Sequence, residues 1–597
     1  MKKNVLALSI TAALVGLTGG AHAMTNTPAG ASATVSEFNG QGVGHKLIVP
    51  YFSTQNNNNT LLNIINTDLA NGKAVKVRFR GAANSDDIFD FQVFLSPGDV
   101  WTAQINQGLD GRSRFTTNDL SCTKPDKSVL NNTSFVTDRL DSTLTTAQKA
   151  NGTHEGYIEI LNMADIPKVS VGVAAVPDVA NEFRAGVNAT AGGDNPLYTA
   201  IKHVKGVAPC ATSTAPGTAA SAAAWAFLDG NNLTFSGVAA ATTPASAGLL
   251  PPTTGLMANW TIINVVGAAS YSGEAAAIEA RDAAGVNATS PTAGVAGERV
   301  NRGNVVYWPQ TAVPVDAPGA SVNAELFTAD ALFRTLNVYS AGTTNVPTPV
   351  AAASIAAAFY DLPDLSTPYN NGAATPLAQA VALTGSLATR SVRNEFVTDK
   401  VISATTDWTF SQPTRRYSSA FNYGFTPVAA TDDGRRFTDI FAGGVVAGAF
   451  PNAYYAPVNT IVSTSTNGNG RQICVTATGI TLAQYDREET KPGVAAIGVV
   501  ISPSTPAAAA KLVFCGEASV LSFNNGGILA TGTGSLKASV AVQDADVTYG
   551  DGWATITTPA AAGTPIGLPV IGSSFLRAVG SSGGQTFGAQ YQHRLQR

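Results

Sequence analysis

Residues 60–105 read TLLNIINTDLANGKAVKVRFRGAANSDDIFDFQVFLSPGDVWTAQI. Val75, Val77 and Phe79 alternate with Lys76, Arg78 and Arg80, the period of a strand that hides one face. Phe89, Phe91, Val93 and Leu95 repeat the pattern against Asp90 and Gln92. Trp101, Ala103 and Ile105 give a further run, and Leu62 with Ile64 opens an earlier one. Between the runs stand Asn71-Gly72, the stretch 82–87 (AANSDD) and Ser96-Pro97-Gly98-Asp99. These residue types tolerate or impose turn backbone angles. The pattern predicts a four-stranded antiparallel meander whose apolar face needs a second sheet over it, so an all-β sandwich.

Working outward, the 597 residues are too many for one hydrophobic core and imply two or three domains. Charged residues are only 13% of the chain, and Gly, Ala, Thr, Ser and Asn abound, which suits turn-rich β architecture. Lys2 and Lys3, the apolar run 5–17 and Ala21-His22-Ala23 have the form of a secretory signal with cleavage before Met24. Its removal leaves 34 basic against 40 acidic residues, a formal charge of −6. A mildly acidic surface argues against nucleic acid and anionic membrane as partners. No later run approaches the roughly 18 apolar residues of a spanning helix, so no transmembrane insertion is expected.

Cys122, Cys210, Cys474 and Cys515 are an even set in a chain expected to be exported, and imply two disulfides. Three pairings are open. Cys122–Cys210 with Cys474–Cys515 is favoured because each bridge then stays inside one expected domain. The expected layout is a signal at 1–23, a flexible start at 24–36, an N-terminal β-sandwich at 37–210, an Ala/Thr/Pro-rich linker or loop at 211–252, and a C-terminal β-rich domain at 253–597. Within it, 219–227 could form a short helix, and 376–393 is the one moderate helix candidate. The chain is expected to end in a Gly-rich basic tail.

Catalytic machinery is hard to find. After cleavage His45, His154, His203 and His593 remain, none spaced for a zinc helix. Gly580-Ser581-Ser582-Gly583-Gly584 fits G-x-S-x-G without the helix that should follow, and Ser121 to Lys124 fits S-x-x-K by chance. A hydrolase would need His154 or His203 beside a Ser or a carboxylate pair. Asp86 and Asp87, and Asp544, Asp546 and Asp551, are calcium candidates, set against the plain reading that Asp shapes turns. Beyond that calcium no cofactor is expected. Asp407-Trp408-Thr409-Phe410 followed by Gln412 to Arg416 is either a glycan platform or a core Trp with snorkelling arginines. A carbohydrate-binding or adhesive module would need Trp101, Trp408 and Trp553 exposed and coplanar.

The string VPYFSTQNNNNTLLNIINTD (49–68) and the stretch quoted above resemble exported cell-surface proteins of Gram-negative bacteria, some described as surface-layer or surface-array proteins. The likeness continues in EGYIEILNMAD (155–165), NEFVTDKVISATTDWTFSQPTRRY (394–417), AQYDREE (483–489) and the tail LPVIGSSF…FGAQYQHRLQR, leaving the Ala-rich middle as its main gap. It implies an exported, largely β, non-enzymatic surface component and transfers no catalytic residue. The combined expectation is two antiparallel, immunoglobulin-like sandwich units with long loops. The partners expected are copies of the chain itself and outer cell-surface components, at the cell surface or, alternatively, in the periplasm.

Overall fold

A computed structural model describes residues 35–168, 195–210, 218–228, 252–281, 383–417, 453–455, 459–464, 470–487, 512–524, 534–546, 550–558, 567–579 and 586–597, apart from isolated positions inside these spans, together with short segments elsewhere. Antiparallel strands dominate and helices are few and short. No helix among the described residues is long and apolar enough to cross a membrane.

In chain order the first strands are β1 (Val35–Asn39), β2 (Lys46–Ser53), β3 (Asn58–Asn66), β4 (Gly72–Gly81), β5 (Asp87–Leu95), β6 (Val100–Gln107), β7 (Ser113–Thr116), β8 (Cys122–Lys124), β9 (Glu155–Ile166), β10 (Leu256–Asn264), β11 (Ala269–Glu274) and β12 (Ala276–Arg281). They form a seven-stranded sheet in the order β1-β12-β2-β9-β4-β5-β8 and a five-stranded sheet in the order β11-β10-β3-β6-β7. The four expected strands therefore exist but do not make one meander. β4 pairs with β5 in the larger sheet, whereas β3 pairs with β6 in the smaller. Asn71-Gly72 is not a hairpin turn but the end of a crossover. Asp68 Oδ1 accepts from the N–H groups of Ala70 and Asn71, folding 68–71 into a side-chain-capped turn that carries the chain to the other sheet. Val75, Val77, Phe79, Phe89 and Phe91 meet Leu62, Ile64, Trp101 and Ile105 in one buried cluster.

Two further expectations need correction. The strands at 256–281 were assigned to a C-terminal domain, yet β10 pairs along its whole length with β3, and β12 pairs with β1 and β2. The N-terminal body is thus completed by residues beyond the expected linker. Inside that linker Thr218–Phe227 is a helix, matching the short helix offered at 219–227, and its Trp225 packs in one buried cluster with Phe94, Leu161 and Leu197. The candidate helix 376–393 is helical only over 383–387, with 376–382 outside the described residues; strand follows at Ala388–Thr389 and again from Ser391. Of the expected Gly-rich basic tail, the described residues include strands at Thr586–Gln592 and Arg594–Gln596.

The second body contains β13 (Ser391–Val397), β14 (Thr405–Ser411), β15 (Thr481–Tyr485), β16 (Ala518–Asn524), β17 (Val542–Asp546), β18 (Asp551–Thr557), β19 (Ser573–Val579), β20 (Thr586–Gln592) and β21 (Arg594–Gln596). β17-β16-β14-β19-β20 is the main run of a sheet, and β15-β18-β13-β21 forms a four-stranded partner. Phe396, Trp408, Phe410, Phe523, Ala554 and Ile556 fill the core between them. Disulfides Cys122–Cys210 and Cys474–Cys515 are both present, as the favoured pairing expected. The two bodies share apolar core: Phe575 lies against Tyr51, Trp260 and Tyr271, at ring-centroid distances of 6.4, 5.8 and 5.4 Å.

Candidate functional site: a buried ionic junction

Alternation along β4 sends Val75, Val77 and Phe79 into the core and Lys76, Arg78 and Arg80 to the opposite face. That face is not solvent-exposed, contrary to the usual meaning of an alternating strand: every residue of β4 is buried. Cross-strand register brings acids beside the cations. Lys76 Nζ lies 3.2 Å from Asp90, and Arg80 lies 3.7 Å from Asp87. β9 contributes Glu159, whose carboxylate collects three cations. Lys46 Nζ is at 3.2 Å, Arg80 Nε at 3.3 Å, and Arg416 Nη2 donates to both oxygens at 2.9 and 3.0 Å. Burial alone would raise the Glu159 pKa, but the adjacent Arg416, Lys46, Arg80 and Arg78 outweigh it and hold the carboxyl well below the usual range.

Arg416 comes from the second body, so this cluster is a clamp between the two. Its Nη1 also donates to Tyr157 Oη at 2.9 Å and Ser85 Oγ at 3.2 Å, and the Ser85 and Tyr157 hydroxyls bond each other. Tyr157 Oη donates to Glu517 at 3.1 Å, and Arg415 lies 3.1 Å from the other Glu517 oxygen. The approach is close enough to require glycine. Gly516 has φ +73°, and a Cβ there would sit 2.5 Å from the Ala82 carbonyl. That carbonyl accepts the N–H groups of Glu517 and Ala518 at 2.8 and 3.1 Å. The Arg415-Arg416 pair is thus neither a glycan platform nor a snorkelling pair; both guanidiniums are buried.

Two more buried carboxylates fasten the segment 534–540. Glu155 accepts from Ser539 N at 2.7 Å and Val540 N at 3.4 Å. Burial pushes its pKa up to about 7, against the opposing pull of those N–H groups. Asp407 on β14 accepts from Leu536 N and Ser522 Oγ, each at 2.7 Å; burial raises it to about 6. A third fastening is Asp141, which takes Arg471 Nη2 at 2.9 Å and Nε at 3.0 Å. Chemically, these acids are occupied with internal donors and serve as fasteners.

The sequence-nominated residues fall elsewhere or into structural roles. Asp86 and Asp87 are buried at the β4–β5 turn, Asp544 and Asp546 lie on β17, and Asp551 opens β18 in an ion pair with Arg487. Among the described residues no three His, Cys, Asp or Glu side chains are grouped to hold a metal ion. His154 is buried, with Nε2 2.6 Å from the Gly111 carbonyl and Nδ1 3.4 Å from Gln55. His203 Nδ1 lies 3.7 Å from Asp99, whose other oxygen accepts from Ser121 Oγ at 3.1 Å. Aspartate therefore sits between serine and histidine, an order that gives His203 no hydroxyl to deprotonate. The G-x-S-x-G run lies outside the described residues. Trp101 and Trp408 are fully buried, which rules out the three-Trp platform; of the three, Trp553 alone is exposed.

Sequence reasoning missed Glu159, Arg415, Arg416 and Glu517 as one interior system, and Glu155 and Asp407 as buried fasteners of 534–540. The available signal was Glu155-x-Tyr157-x-Glu159 in phase on a strand, with polar residues where a one-sided sheet should face water. No family model, no curated protein and no solved structure matches the chain.

Proposed function

We propose that this protein is an exported structural component of the cell surface that assembles with copies of itself, as a surface-layer subunit would. The observation carrying this reading is the ionic junction, where charged side chains fasten one body to the other instead of lining a cleft. Two disulfides fit an oxidising, exported location. The residues before Met24 are read as the export signal. We also read the first sheet pair as an immunoglobulin-like sandwich, supported by successive strands switching between its sheets. Its work on this reading is mechanical, and no bond is made or broken. The outer face of the five-stranded sheet supports self-association. Register aligns Ser272 with Thr261, Leu61 and Gln104, a row that carries no charge to repel a second copy, and Asn259 with Asn63 and Thr102, a row charged only at its edge by Glu274.

Electron microscopy of washed cells with and without the gene tests this, alongside sedimentation of the purified mature chain. Ordered surface arrays lost with the gene, and concentration-dependent assembly, are expected. A chain that stays monomeric at high concentration and fractionates with the periplasm would overturn the reading. A second reading, a carbohydrate-binding or adhesive module, is favoured by one observation, the exposed Trp553.

A further inference from the structure

The outer face of the four-stranded sheet carries a group of side chains that packing does not explain. Ala554 and Ile556 point into the core, so Trp553, Thr555 and Thr557 point out. Trp553 is 39% exposed, a large apolar area to leave in water. It is held upright by Tyr485, its register partner on β15, with ring centroids 4.3 Å apart and planes 11° off parallel. With Tyr485 covering one side of the indole, its other side looks across β13 toward β21. There the register places Glu395 opposite Trp553, Arg393 opposite Thr555, and Arg594 opposite Arg393.

Two arginines directly opposed on neighbouring strands repel each other and disfavour the pairing. Both are exposed, and neither makes an ion pair among the described residues. Arg393 is steadied by donating from Nη2 to Gln596 Oε1 at 3.2 Å. From strand geometry, Trp553 is ~8 Å from Arg393 and ~12 Å from Arg594, Cα to Cα. A pyranose stacked on the indole would therefore place a ring carboxylate, its own or the next residue's, between the two guanidiniums. Guanidinium binds carboxylate bidentately, and the anion would relieve the repulsion.

We propose that Trp553, Arg393 and Arg594 form a binding site for an acidic saccharide, a chain of pyranose rings bearing carboxylates. The inference rests on the carbohydrate-binding reading and does not depend on self-assembly. Trp553 provides the stacking face with Tyr485 as its backing, the arginines read the charge, and Glu395 and Thr555 are placed to meet ring hydroxyls.

The test titrates the oxidised mature chain with tetragalacturonate, and with neutral maltotetraose as control, following tryptophan fluorescence and heat. Binding of the acidic probe is expected to weaken about tenfold or more in Trp553→Ala and in Arg393→Gln/Arg594→Gln, with unchanged urea midpoints. It should also weaken as salt rises, since the arginines are exposed. Tight binding that survives Trp553→Ala would overturn this site while leaving the carbohydrate reading in place. Equal affinity for both probes, insensitive to the arginine changes, would overturn the acidic class. No binding of either at millimolar concentration would overturn the proposal, and a blank screen of other sugars would then remove the carbohydrate reading too.

Discussion

Replacing Arg416 by methionine should destabilise the protein strongly, and replacing Glu159 by glutamine should do so more. Arg416 is buried and makes four hydrogen bonds, two to Glu159 and one each to Tyr157 and Ser85. Removing one partner of a buried ion pair typically costs about 3–5 kcal/mol, because the other is left uncompensated. Here Glu159 keeps Lys46 and Arg80, so Arg416→Met belongs near the low end, about 3 kcal/mol. Glu159→Gln instead takes the common anion from three buried cations and belongs near the high end, about 5 kcal/mol. The double variant should cost less than the two singles summed, by about 1–2 kcal/mol, since the residues share one network. Urea unfolding followed by tryptophan fluorescence would measure all three, with separate transitions analysed separately if the bodies uncouple. The reasoning fails if Glu159→Gln is no worse than Arg416→Met, or if the singles add.

Glu155 has a folded pKa of about 7 against 4.5 unfolded, so its contribution is full below pH 4.5 and lost as pH rises to 7. That is worth about 3 kcal/mol, and Glu155→Gln should remove this fall with rising pH, as read from urea midpoints against pH. His593 works in the opposite sense: burial lowers it to about 3, so its contribution is present above pH 6.5 and lost as pH falls. With Glu155 neutralised, the acid-side loss should emerge between pH 6.5 and 4.5, and a variant that stays flat there would refute the His593 assignment. The disulfides close separations of 88 and 41 residues; by loop entropy, replacing Cys122/Cys210 should cost roughly 4–5 kcal/mol and Cys474/Cys515 about 4 kcal/mol, checked by thermal and urea unfolding. Gly516→Ala should cost about 1–2 kcal/mol from its left-handed backbone alone, with more from the approach to Ala82, whereas Gly550→Ala, with nothing within 4 Å, should be nearly silent.

Alternation was enough to locate β4, β5 and β6, because the side-chain period of two is a property of the strand itself. It was not enough to assign their sheets. An Asn-Gly step has the same composition whether it closes a hairpin or ends a crossover, and the deciding fact, that β3 pairs with β6 while β4 pairs with β5 and β9, is tertiary. Nor does period two say what covers the polar side of a strand. Lys76, Arg78 and Arg80 read as a solvated face, but Asp87, Asp90 and Glu159 meet them in the interior, and Arg416, more than 300 residues away, shares Glu159 with Arg80. By contrast, Trp553 was legible from phase alone: Ala554 and Ile556 are in register with the core, which leaves the tryptophan outside. Trp408 shares its phase with Phe410 and goes in.

The distribution of charge connects these observations. With charged residues at 13% of the chain, each one withdrawn from the surface matters, and Lys46, Lys73, Lys76, Arg78, Arg80, Arg415 and Arg416 are all withdrawn. Their hydration is replaced by fixed carboxylates and hydroxyls, which makes the junction specific to one arrangement of the two bodies, since a displaced body would leave several charges without partners. What remains outside the five-stranded sheet is mainly Asn, Thr, Ser and Gln with scattered aliphatic groups, a surface that repels its own copy weakly. The exposed Arg393–Arg594 pair differs from the buried cations Lys46, Lys73, Lys76, Arg80, Arg415 and Arg416, each of which lies within 4 Å of a carboxylate. A fold that neutralises its interior so thoroughly, yet leaves two facing arginines beside an upright tryptophan, is better explained by a ligand brought from outside than by stability.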